Sequence, residues 1–323
     1  MDGGQEEESM NQNLILVTGA TGFIGRALVA RLGKEGYGVA VLTRNQHKAL
    51  ALLGEQIRAV EWDGRSPRGW VELVSQTLAI VNLAGENIGQ GRWTADKKAR
   101  LLNSRVQAGR AISEAIKQAS PKPRVLIQAS AVGYYGSRGE EELDEASPPG
   151  KGFLAGLVRE WEESTRPVED LGVRRVIIRS GLVLGRDGGV FPRLIFPFRF
   201  FIGGPLGRGR QWVSWVHGRD GIRAILFLIR HEDKAGVFNL TSPVPVRNKE
   251  LARLLGRAMK RPWWFPAPAP LLHLFLGEMA RETLLASQKA FPRALLRAGF
   301  DFLFPDLKAA LNDVLGNLSP SSG

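Results

Sequence analysis

The segment Thr18-Gly19-Ala20-Thr21-Gly22-Phe23-Ile24-Gly25 spaces three glycines as G-x-x-G-x-x-G. It stands between a short β-branched apolar run, Leu14–Thr18, and a stretch with helical spacing of apolar residues, Phe23–Leu32. In that setting each glycine has a physical task. Gly19 permits a sharp turn off the strand, Gly22 lets the backbone approach a pyrophosphate, and Gly25 lets helix and strand pack closely. The helix start then offers free N–H groups and the positive end of its dipole to phosphate oxygens. A glycine trio alone is weak, but a strand before it and a helix after it supply the context that a dinucleotide-binding turn requires.

The end of the next strand-like run bears on which dinucleotide. A site for NAD places Asp or Glu there, ~20 residues past the glycines, to bind the adenosine ribose hydroxyls. This chain has Thr43-Arg44 instead. A carboxylate would repel a 2′-phosphate, whereas a guanidinium pairs with it bidentately and a hydroxyl donates to it. NADP(H) is therefore the expected cofactor. Other chemistry-bearing types are sparse. There is no cysteine, which removes disulfides, thiolate metal sites and cysteine nucleophiles together. The four histidines, His47, His217, His231 and His273, show no metal-ligand spacing. His217 with Asp220 follows a strand-like Trp212–Val216 and reads as a hydrogen-bonded structural histidine, with substrate contact as the alternative. The acidic run Glu140–Glu145 reads as a solvated loop, and Trp212, Trp215, Trp263 and Trp264 as packing between sheet and cap.

The scaffold that must position these groups is written in the pattern of the chain. Strand-like runs occur at Leu14–Thr18, Val39–Leu42, Ile57–Glu61, Leu78–Asn82, Val125–Ala129 and Val176–Ile178. They alternate with helical stretches, one starting near Thr94 as N-cap and running through Leu101, Val106, Ile112 and Ile116. The runs are continuously apolar, as strands covered on both faces are. The expected fold class is α/β, a doubly wound parallel sheet (Rossmann fold) with a smaller, mostly helical C-terminal cap. The expected division is a disordered tail over 1–12 and a dinucleotide-binding domain over 13–185, with 213–242 returning to it. A cap over 186–212 and 243–316 and a second tail over 317–323 complete it, and neither tail is expected to carry function. Lys249–Lys260 and Pro270–Gln288 are the cap's expected helices.

Lys plus Arg number 44 and Asp plus Glu 32, a net charge of +12. The bases are spread singly, without a run of five or more and without interleaved aromatics, so a solvated basic surface is expected rather than a nucleic-acid site. Phe191–Phe201 is Phe-rich, but Pro197 and Arg199 interrupt its apolar stretch, which is far shorter than the ~20 residues a membrane span requires. The N-terminal residues lack the character of a secretory signal or transit peptide. No membrane partner and a cytoplasmic location are expected.

Three groups of residues carry a resemblance. Thr18–Gly25, Asn82-Leu83-Ala84-Gly85 and Arg179-Ser180-Gly181-Leu182-Val183-Leu184-Gly185 together resemble the extended and atypical short-chain dehydrogenase/reductases. More narrowly, Asn82–Ile88, Ser130-Ala131-Val132-Gly133-Tyr134-Tyr135-Gly136, Gly203–Gly207 and Trp215-Val216-His217 with Asp220 are similar to the "epimerase family protein" group. Pro266–Leu311 is similar to that group's C-terminal domain of unknown function. The resemblance implies that Leu83, Ala84 and Gly85 lie by the adenosine-proximal ribose and Leu182 near the nicotinamide carboxamide. It also implies that Arg105, of the pair Ser104-Arg105, reaches the cofactor.

Typical members of that superfamily use a Ser, a Tyr and a Lys four residues after the Tyr. A phenol with an ordinary pKa of ~10 needs such a cation to act near neutral pH. The corresponding stretch here, Lys151–Glu162, contains no tyrosine. Tyr37 precedes the second strand, so a phenolic acid must be Tyr134 or Tyr135, with Ser130 as partner to a substrate oxygen. The expected function is an NADP(H)-dependent oxidoreductase or epimerase acting on an unidentified small molecule, with a homodimer as the assembly left open. The missing dyad motivates the alternative, a catalytically silent NADP(H)-responsive regulator linked to cell or organelle division.

Overall fold

Seven strands pair side by side in the computed structural model, which describes residues 13–316. They are β1 (Leu14–Thr18), β2 (Gly38–Thr43), β3 (Arg58–Glu61), β4 (Thr77–Asn82), β5 (Val125–Ala131), β6 (Arg174–Ser180) and β7 (Gly236–Leu240). Their order is β7-β6-β5-β4-β1-β2-β3 and every adjacent pair is parallel. The chain thus builds outward from β1 through β2 to β3, then returns to the other side of β1 with β4. In a doubly wound sheet, a ligand crevice opens at that reversal, outside the carboxyl ends of β1 and β4. The expected tails lie outside the described residues.

Alternate residues of each strand serve two cores. Ile15 and Val17 pack with Val41, Val81 and Ile127 beneath α1 (Phe23–Lys34) and α6 (Gly218–Arg230). Leu16 faces the other way with Leu42, Ile80 and Leu126, beneath Ile112 and Ile116 of α3 (Ala95–Gln118). Each such aliphatic side chain removed from water stabilises the fold by about 1.5–3 kcal/mol. Helices therefore cover both faces, as the continuous apolar runs require. The Thr94 side chain accepts from the Lys97 amide and caps α3 as expected. The remaining main helices are α2 (Gln46–Leu53), α4 (Phe153–Glu163), α5 (Phe191–Arg199), α7 (Asn248–Met259), α8 (Ala269–Leu276) and α9 (Leu307–Gly316).

A third core joins Phe191, Ile195 and Phe198 of α5 to Leu251 and Leu255 of α7 and Leu307 and Leu311 of α9. The single helix expected over Pro270–Gln288 is interrupted. It stops at Gly277, whose φ of +60° suits glycine alone, and a separate π-turn follows at Ala280–Leu284. No helix among the described residues is long and apolar enough to cross a membrane.

Candidate functional site

The glycine turn sits on the β1–β4 crevice with no room to spare. Gly19 has φ +65°, and a Cβ there would lie 2.5 Å from the Leu83 carbonyl oxygen. A Cβ on Gly25 would lie 2.4 Å from the Gly19 carbonyl oxygen. The Gly22 amide donates to that same oxygen at 3.0 Å, closing the turn. No side chain caps the start of α1, so its first amides are left to a ligand or to water. Ala20 and Gly25 are buried, whereas Thr21, Phe23 and Ile24 are half-buried. The Phe23 ring packs under Gly185 and Gly188, and Arg26 Nη2 donates to the Asp187 carbonyl at 3.0 Å, which draws that loop over the head of α1.

A buried relay fixes the opposite wall. Thr18 Oγ1 donates to Asn82 Oδ1 at 2.7 Å, and Asn82 Nδ2 donates to Gln128 Oε1 at 2.8 Å. The Ala84 amide donates to both Thr18 Oγ1 and Asn82 Oδ1, each at 3.2 Å. These bonds pin Leu83-Ala84-Gly85 as the chain leaves β4. The Arg105 guanidinium from α3 fills the space beside Gly85, where a Cβ would lie 3.0 Å from Cζ. Arg105 is buried, donates from Nη1 to the Leu101 carbonyl at 3.0 Å and lies 4.9 Å over the Trp161 ring. Burial pulls its pKa down to about 10, against the opposing charge of Glu86, so it remains a cation at neutral pH.

At the end of β2, Thr43 and Arg44 divide. Thr43 Oγ1 donates to the Asn45 carbonyl at 3.2 Å and accepts from the Asn45 amide at 3.3 Å, so the hydroxyl holds its own turn. Arg44 is exposed, lacks an ion-pair partner among the described residues, and lines an open cleft with Asp63, Ser66 and Arg68. Asp63 is occupied by accepting from the Arg65 and Ser66 amides, bonds that hold its carboxyl below the usual range. At the end of β6, the Leu182 amide donates to the Ser214 carbonyl at 2.8 Å and leaves the side chain half-buried.

The three acid–base candidates are placed very differently. Ser130 is buried and donates to Glu162 Oε1 at 2.5 Å. That carboxylate also takes Arg179 bidentately, at 2.8 and 2.9 Å. Tyr135 is fully buried, donates to Asn239 Oδ1 at 2.7 Å and accepts from Arg179 Nη1 at 3.1 Å. Burial pushes its pKa up to about 12. Tyr134 is half-buried, with the Arg179 guanidinium 3.4 Å from its ring centre and no hydroxyl hydrogen bond among the described residues. Lys151 and Arg159 are exposed. Glu162, Arg179, Asn82 and Gln128 were not singled out as site residues from sequence, and only a polar residue inside an otherwise apolar strand or helix face would have marked them. His217 is buried and caps α6 by accepting from the Arg219 amide at Nδ1, in line with the structural reading of that residue.

Residues 15–241, from β1 through β7, match the NAD dependent epimerase/dehydratase family. The chain belongs to that family. Residues 267–314 match a domain of unknown function, DUF1731, which agrees with the resemblance seen at Pro266–Leu311. An epimerase family protein of Mycobacterium leprae is 36% identical over 308 residues, covering 94% of this chain and 96% of the relative. A chloroplastic family member of Arabidopsis thaliana is 40% identical over 311 residues, covering 94% and 87%. The crystal structure of a human epimerase family protein with NADPH superposes with TM-score 0.84 at 33% identity, over 94% of this chain and 99% of that one. The UDP-glucose 4-epimerase of Thermus thermophilus with NAD, at TM-score 0.77 and 19% identity over 95% and 98%, shares the fold. The family's NAD(P)-binding fold is thus the fold of this chain.

Proposed function

We propose that this family member binds NADP(H) across the carboxyl ends of β1 and β4 and works as an oxidoreductase or epimerase on a small molecule. The observation that carries the choice of NADP(H) is Arg44, an exposed guanidinium without an ion-pair partner among the described residues, at the position where an NAD site would hold a carboxylate. The human relative's structure with NADPH supports the same choice. The residues present fit the cofactor: Gly19 and Gly25 keep the turn clear of Cβ atoms, and α1 presents uncapped amides to the pyrophosphate. Arg105 holds a positive charge beside Gly85.

When bound, the nicotinamide supplies or takes up a hydride. The chain's own contribution is a proton at a substrate oxygen, and Tyr134 is the candidate phenol whose hydroxyl is not already committed to a protein partner among the described residues. Arg179 clamps the Tyr134 ring, and Glu162 in turn fixes Arg179. A catalytically silent NADP(H)-responsive regulator is the second reading. It is favoured by the commitment of Ser130 and Tyr135 to buried internal bonds and by the absence of tyrosine from α4.

Calorimetric titration with NADPH and NADH tests the cofactor. NADPH is expected to bind more tightly, and Arg44→Ala to bring its affinity down towards that of NADH while leaving NADH unchanged. Equal affinities in the parent chain would sink the choice of NADP(H). Failure of a panel of aldehydes, ketones and sugar nucleotides to consume NADPH would favour the silent reading.

A further inference from the structure

Nine of the fourteen large apolar side chains that stand exposed among the described residues fall within 196–202 and 264–275. Helix α8 buries none of its residues, and Leu271, Leu274 and Phe275 share one face at i, i+3, i+4 spacing. Leu274 is 64% and Phe275 68% exposed. Helix α5 turns Phe191, Ile195 and Phe198 to the cap core yet leaves Phe196 and Phe200 outside, their rings 4.9 Å apart. The two helices belong to one surface. The Phe265 amide donates to the Gly203 carbonyl at 3.2 Å, the Ala267 amide to Pro205 at 2.9 Å, and α8 begins two residues later. A helix apolar all round is ordinarily enclosed, so these faces lack a partner.

Charge says what that partner is. Residues 191–210 and 257–275, which carry α5, α8 and the segments that join them, contain seven Arg or Lys and no Asp or Glu, and the neighbouring Glu250 is paired with Arg253. Arg199, Arg208, Arg210 and Lys260 have no carboxylate at ion-pair distance among the described residues. Arg261 lies with its guanidinium 4.4 Å over the exposed Phe201 ring, and Trp264, three residues further on, stands 64% exposed. A protein interface uses both signs of charge to fix its register. Aromatic and aliphatic side chains framed by an excess of cations match acyl chains beneath anionic headgroups.

We infer that the face formed by α5, residues 263–267 and α8 docks on an anionic lipid surface. The sequence expectation of no membrane partner rested on the lack of a spanning run, and a helix lying in the interface plane needs none.

Flotation of the full chain with phosphatidylglycerol-containing vesicles, and with phosphatidylcholine alone, tests this. Binding is expected to the anionic vesicles and to weaken as salt rises. The double variant Leu274→Asp, Phe275→Asp is expected to lose about tenfold or more of that binding. Both side chains point to solvent, so its thermal midpoint should match the parent. As a second reading, Trp264→Phe should remove most of the fluorescence quenching by brominated lipid. No binding to anionic vesicles, or equal binding by the double variant, overturns the inference. A concentration-dependent dimer that the double variant abolishes, without vesicle binding by the parent, would assign the face to a second copy of the chain instead.

Discussion

Tyr134 and Tyr135 touch edge to face, ring centres 5.4 Å apart, and differ in everything that decides proton chemistry. The Tyr135 hydroxyl spans Asn239 and Arg179 in the interior, and its pKa of about 12 keeps it protonated across the physiological range. Tyr135→Phe leaves the buried Asn239 oxygen without its donor, so a loss of about 1–3 kcal/mol in urea unfolding is expected. Tyr134→Phe removes a hydroxyl with no protein partner among the described residues and should leave stability within about 0.5 kcal/mol. Its effect belongs to turnover, a fall of about 100- to 10,000-fold if it is the general acid. Full turnover in Tyr134→Phe would remove it from the chemistry, whatever the stability of either variant. Ser130 has a partner that residue type alone does not show. Its hydroxyl suits a substrate oxygen, but here it donates its hydrogen bond to Glu162, 32 residues away in the chain.

At the scale of elements, α6 is held at its head by an imidazole that must be neutral to accept from the Arg219 amide. Burial lowers the His217 pKa, outweighing the Asp313 and Asp220 carboxylates that pull it up. The sign follows from linkage: the unfolded chain binds the proton more readily than the folded one. The cap's contribution is therefore complete above the unfolded value of ~6.5 and is lost as pH falls below it towards the lowered folded value. Melting temperature should drop through that window, and His217→Asn, which can still accept from the amide, should flatten that part of the profile. An identical profile in the variant would assign the acid sensitivity elsewhere. Strands β1, β2 and β4 to β6 were legible because each carries an unbroken apolar run, the signature of burial on two faces, whereas the edge strand β3 has only Ala59 and Val60 between exposed Arg58 and Glu61. Helix α3 was legible from its cap residue and its spacing. The break at Gly277 was not, because the apolar pattern continues on both sides of it, while Glu278 and Glu282 just beyond it are engaged by Lys98 and by the Phe153 and Leu154 amides, far away in the chain. The glycine turn could be read locally, whereas the Thr18–Asn82–Gln128 relay could not, its partners being 64 and 46 residues apart.

Across the whole molecule, the C-terminal segment is stitched into the dinucleotide-binding half at several points. Glu282, in the π-turn after α8, accepts from the Phe153 and Leu154 amides at 3.1 and 2.7 Å and so caps α4 from outside its own sequence neighbourhood. Gly152 admits it: with φ +107° and no Cβ, it leaves the space in which a Cβ would lie 2.6 Å from Glu282 Oε1. Lys98 of α3 pairs with Glu278, one turn before that glutamate, and the Phe291 carbonyl accepts from Asn239 Nδ2 at 3.0 Å. Asp220 accepts from the Leu303 and Phe304 amides, both at 2.9 Å, and is fully buried. Helix α4 carries Glu162, which fixes Arg179 and through it the Tyr134 ring, so the cap reaches the candidate acid through one helix. Glu282→Ala is expected to cost about 1–3 kcal/mol, the value of charge-assisted bonds to two amides otherwise left to water. Hydrogen exchange should localise the change, with protection at Phe153 and Leu154 falling about tenfold per ~1.4 kcal/mol while the amides of α1 keep theirs unless opening is global. Glu282→Gln, which retains an acceptor but not the charge, should fall between the two. If the alanine variant lost stability with no local change at the head of α4, the cap would support the fold without governing that helix, and Tyr134 would be positioned by β5 and β6 alone.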